Sequence, residues 1–137
     1  MSIVQGQTTS FKSELYQGVH NLLTDTLKIA LYTANVNLNA DTTVYSSTNE
    51  VVATGYTAGG NTLTGVTLST ANNTAYVNFA NTSWTSGLTA RCALIYNASK
   101  GNKSIAVLDF GSDKTSTTTF LITMPSNTST TALIRSA

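Results

Sequence analysis

One stretch of this chain carries a helical period, and after it the period changes to two, broken by turn-rich loops. Phe11, Leu15, Val19 and Leu22, with Leu23 beside them, recur at i, i+4, i+8 and i+11 and so fall on one helical face. Thr9 or Ser10 can cap the start, and the polar run from Asn21 to Asp25 supplies a stop. Gly18 weakens the middle by about 1 kcal/mol relative to Ala. The spacing predicts a helix from about Ser10 to Leu23. His20 then lies opposite Phe11, facing solvent or an interface.

Beyond the helix, Leu27, Ile29 and Leu31 alternate with Lys28, Ala30 and Tyr32, as a strand with one inward face does. Residues Thr33 to Asn49 are turn-rich and read as a long loop, Val51 to Thr54 as a short strand. Leu63 to Ser69 and Ala75 to Ala80 flank Asn72-Asn73, residues that tolerate positive φ and suit a hairpin turn. A second pair, Ala90 to Tyr96 and Ile105 to Phe110, is joined by residues 97 to 102. The first of these is apolar on most of both faces, which places it centrally in its sheet. Thr117 to Met124 and Thr131 to Ile134 complete about eight strands. The expectation is a mainly β chain: a single-domain β-sandwich or small barrel over residues 1 to 137, with one N-terminal α-helix.

Composition excludes several functions. Charged residues are 9% of the 137, with a net charge of +1 and no basic stripe of the kind that neutralises phosphates, so no nucleic-acid partner is expected. Ser, Thr and Asn exceed a third of the chain, yet 41% is hydrophobic, too apolar for disorder. No stretch approaches the ~18 apolar residues of a membrane span, and the N-terminus lacks the pattern of a signal peptide, so no membrane partner is expected.

Candidate chemistry is sparse. His20 is the only histidine and Cys92 the only cysteine, which leaves no zinc set and no intrachain disulfide. Cys92 lies mid-strand among apolar residues and reads as a small hydrophobe, with Arg91 on the opposite face. Asp109 and Asp113 around Gly111 read as a polar turn, and the run Gly55 to Gly60 lacks the Lys-Ser/Thr of a phosphate loop. No catalytic residue, metal or cofactor is expected. Trp84 and Tyr96 read as core. Contact candidates are Tyr45 and Tyr56, in or beside loops, and the apolar pair Ile3 and Val4 on a flexible terminus, residues 1 to 9. That terminus reads equally as a disordered tail or as a docking arm that orders on contact with a partner.

Gly18-Val-His-Asn-Leu-Leu, then Asp25 to Tyr32, then Gly55-Tyr-Thr-Ala-Gly-Gly60, Ala93-Leu-Ile-Tyr-Asn97 and Leu108-Asp-Phe-Gly111, in that order, resemble a set of small tailed-bacteriophage virion proteins. The resemblance spans roughly residues 10 to 112. It implies a non-enzymatic structural part of a phage particle, located in the virion. Its first form is a capsid decoration, or cement, protein that binds and stabilises the major capsid protein. The alternative is a neck, tail or fibre component contacting another virion protein or a host glycan. Self-association is expected too, with a trimer as the first form, since so low a charge opposes contact between copies little.

Overall fold

The helix begins where Thr8 turns its side chain onto the Phe11 amide, and it ends about two turns earlier than the apolar spacing suggests. In the computed structural model, which describes residues 2–136, α1 spans Thr9–Tyr16. Gly18, at φ 71°, is the reason for the stop. Its amide bonds the Leu15 carbonyl at 3.1 Å and the Val19 amide bonds the Glu14 carbonyl at 3.0 Å, the paired bonds of a Schellman cap. Gly18 therefore terminates the helix rather than weakening its middle.

The strands that follow build one central sheet and three small ones. β1 is Ser2–Ile3, β2 Gly6–Gln7, β3 Leu27–Tyr32, β4 Asn37–Leu38, β5 Asn61–Thr62 and β6 Thr67–Ala71. β7 is Thr74–Asn78, β8 Thr82–Trp84, β9 Thr89–Asn97, β10 Lys103–Thr115, β11 Phe120–Ile122 and β12 Ile134–Ser136. The central sheet runs β2-β10-β9-β3-β5, and the others are β12-β7-β6, β11-β8 and β1-β4. The fold is mainly β with one helix and sandwich-like.

Alternation along the central strands divides the core in two. Leu27, Ile29 and Leu31 of β3 and Ala93 and Ile95 of β9 face a large cluster with Phe11, Val77, Trp84, Phe120 and Ile134. Ala30, Tyr32, Cys92, Leu94 and Tyr96 face a smaller one with Val36 and Leu38. β9 is apolar on both faces because both are covered, as its sequence predicts.

Three expectations need correction. The segment from Thr33 to Asn49 is not only loop: it contains β4, buries Val36 and Leu38, and forms the layer over the second face. Val51 to Thr54 is not a strand, although the Val51 amide bonds the Leu31 carbonyl at 3.0 Å. Nor are residues 2 to 9 an arm. β1 lies parallel to β4, β2 pairs with Ala106 and Val107 of β10, and Thr8–Thr9 already start the helix. The N-terminus completes two sheet edges, which offsets the entropy of ordering it.

Candidate functional site

Two buried polar clusters gather most of the chemistry-bearing side chains. The first forms around Glu50, which bridges to Tyr32 at the end of β3 and is 7% exposed. Its Oε1 accepts the Tyr45 hydroxyl at 2.6 Å, and its Oε2 accepts the Tyr56 hydroxyl at 2.5 Å and the Gly59 amide at 2.8 Å. Tyr56 Oη in turn accepts the Leu31 amide at 2.8 Å. Tyr96 donates to the Gly59 carbonyl at 2.6 Å, and its ring stacks on that of Tyr45 with centroids 4.6 Å apart. Burial, aided by the negative charge of Glu50, pushes the phenols of Tyr32, Tyr45 and Tyr56 well above their ordinary value, and Tyr96 up to about 12.

The glycines of this segment hold that geometry. Gly60 sits at φ +79°, and a Cβ there would lie 1.8 Å from the Ile29 carbonyl oxygen. Positive φ and the close backbone approach both require glycine. The run Gly55 to Gly60 is thus a turn, and the one anion its Gly59 amide binds is the chain's own Glu50.

The second cluster forms because the helix stops at Gly18. The chain folds back, and His20 lies buried against Phe11, ring centroids 5.1 Å apart, instead of facing outward. Its Nδ1 accepts from Asn97 Nδ2 at 2.9 Å, which leaves the proton on Nε2 to donate to Glu14 at 2.8 Å. Asn97 Nδ2 also donates to Asp25 at 2.8 Å, and Lys100 stands 3.4 Å from the same carboxylate. Burial raises the Asp25 carboxyl, but the bonds from Asn97, the Asn21 amide and Lys100 outweigh it and hold the group below its usual value. An acid, a histidine and an amide stand in line here. With both ring nitrogens engaged and the ring buried, however, no nitrogen is free to take a proton from a bound substrate.

Cys92 is buried, and desolvation pushes its thiol up to about 12, so it holds its proton. Arg91, across the strand, pairs instead with Asp109. Asp109 also accepts the Gly111 amide at 2.8 Å, but the polar turn expected from Asp109, Gly111 and Asp113 is instead an irregular, bulged stretch within β10. Among the described residues no group of three or more His, Cys, Asp or Glu is placed to hold a metal ion, and no helix is long and apolar enough to cross a membrane.

The four contact candidates divide. Tyr56 is a core residue with its hydroxyl engaged twice, so it presents no contact surface. Tyr45 is half-buried on Tyr96, and Ile3 packs on the smaller core cluster. Val4 alone projects, 54% exposed. Trp84 and Tyr96 are buried, as read. The importance of Glu50 was missed in the sequence, where an isolated acid after a polar loop carries no signal. A separate cleft of about 670 Å³ is lined by Phe110 and the run Lys114 to Thr123, which sets five threonines beside Phe120, Leu121 and Ile122. No protein-family model, curated protein or solved structure matches the chain.

Proposed function

We propose that this protein is a non-enzymatic structural component of a tailed-phage particle, a decoration protein that binds and stabilises the capsid surface. One observation supports the reading most directly. His20, Glu50 and Cys92, the groups best suited to chemistry, are all buried, the first two turned onto the fold's own partners and the third packed in the core. The outer surface meanwhile is sparsely charged, with a net charge near zero, and carries single apolar side chains such as Val4, Val52 and Leu121. Such a surface suits broad contact with another protein through hydrogen bonds and small apolar patches. Val4, held outward on the rigid β1–β2 segment, is the first contact residue on this reading.

A neck, tail or fibre role is the second reading, and the threonine-lined cleft beside Phe110 favours it. Aromatic surface from Phe110 and Phe120 beside threonine hydroxyls fits a hydroxyl-rich ligand such as a glycan. Quantifying the protein in purified particles of the phage that encodes it separates the two. Hundreds of copies support decoration, a dozen or fewer support neck or tail, and none overturns both.

A further inference from the structure

The longest sheet edge without a charged residue among the described residues belongs to β6. The edge strands β2, β5, β11 and β12 have two or three residues each. The outer edge of β10 past Val107 carries Asp109, Asp113 and Lys114, and Gln5 accepts its Asp109 amide at 2.9 Å. β6 has five residues and a neighbouring strand on its β7 side only. The hairpin turn Asn72-Asn73, with φ of 53° and 65°, fixes the register at Ala71–Thr74, Ser69–Tyr76 and Thr67–Asn78. In a two-residue hairpin these pairs exchange the backbone bonds, so Leu68 and Thr70 point their N–H and C=O groups away from β7 into the open edge.

Two further features indicate what covers that edge. From Val51 to Ala90 the chain has no Asp, Glu, Lys or Arg, so the hairpin lacks the charges by which edge strands repel copies of themselves. Leu68 stands opposite buried Val77, yet it is 50% exposed because the sheet ends beside it.

We propose that a second copy of this chain docks here, β6 antiparallel to β6 about a twofold axis through Ser69, joining two three-stranded sheets into one of six. Leu68 of each copy exchanges two backbone hydrogen bonds with Thr70 of its partner, and each Leu68 side chain is covered by the added strand. The inference rests on the edge and its lack of charge, independently of the proposed function. It replaces the trimer expected from sequence with a twofold dimer.

Sedimentation over low to high micromolar concentration tests it. The unmodified protein is expected to pass from monomer to dimer. The double variant L68K/T70K sets Lys opposite Lys across the axis and is expected to remain monomeric, with an unchanged circular dichroism spectrum. L68E/T70K sets Glu opposite Lys in the same register and is expected to restore the dimer. S69C brings two thiols together at a closely spaced pair and is expected to form a disulfide-linked dimer on mild oxidation. A monomer at every concentration, a trimer, equal dimerisation of both charged variants, or no cross-link through residue 69 overturns the proposal.

Discussion

Tyr56 and Glu50 are six residues apart in a segment with no strand of its own, and a 2.5 Å hydrogen bond joins phenol to carboxylate. Because Tyr56 also accepts the Leu31 amide, this pair fastens the crossover between β4 and β5 to the central strand β3. Removing the carboxylate strands two hydroxyls and the Gly59 amide. Glu50→Ala should therefore cost about 2–4 kcal/mol, and Glu50→Gln, which keeps one acceptor oxygen, about half as much. A lower urea midpoint at unchanged slope is the expected measurement.

Stability should fall at both ends of the pH scale. The raised pKa values of Tyr32, Tyr45, Tyr56, Tyr96 and Cys92 belong to the folded state. Their stabilisation is complete below the unfolded values, about 8.5 for Cys and about 10 for Tyr, and is lost as pH rises toward the folded ones. These four phenols should ionise together with unfolding, seen as a single step in the ultraviolet phenolate band. The depressed carboxyls of Asp25 and Asp109 work the other way. Their contribution is present above about pH 4 and lost as pH falls through the folded values. Asp25→Asn should flatten that acid limb.

His20→Ala should destabilise the fold by about 2–3 kcal/mol, since it removes a ring packed on Phe11 and leaves Glu14 and Asn97 short of a partner. Thermal unfolding measures it. Cys92 should resist alkylation in the folded protein and react once urea unfolds it.

Two glycine substitutions should separate strain from collision. Gly101→Ala meets nothing within 4 Å and bears only the strain of φ +66°, about 1 kcal/mol. Gly60→Ala adds collision with the Ile29 carbonyl and should cost about 3 kcal/mol or more. Unfolding midpoints of the two variants give the comparison.

On the proposed function, Val4→Lys should lower occupancy on capsids while the domain stays folded. Binding of the unmodified protein should change little between low and high salt, because few charges are available to screen. Removing residues 1 to 7 should unfold the protein instead of merely releasing it, since those residues supply β1 and β2. Particle sedimentation with gel quantification reads occupancy, and circular dichroism reads folding.

Period-two alternation in Leu27 to Tyr32 and Ala90 to Tyr96 was enough to read a mainly β fold, a central β9, a buried Cys92 and the Asn72-Asn73 turn. Each depends on neighbours in sequence: which face a side chain takes, and which residues accept positive φ. The helix end was locally written as well, in Gly18, but the apolar spacing of Val19 and Leu22 pointed past it.

What tertiary structure alone decided are the pairings between distant segments. Ile3 meets Leu38 in a parallel bridge, His20 finds Asn97, and Glu50 collects Tyr45 and Tyr56 while its strand neighbour Tyr32 fixes its place. No local pattern encodes these contacts, because their stability comes from burying polar groups together once the two faces of the central sheet are covered. An exposed glutamate or histidine gains little from such partners, whereas a buried one requires them.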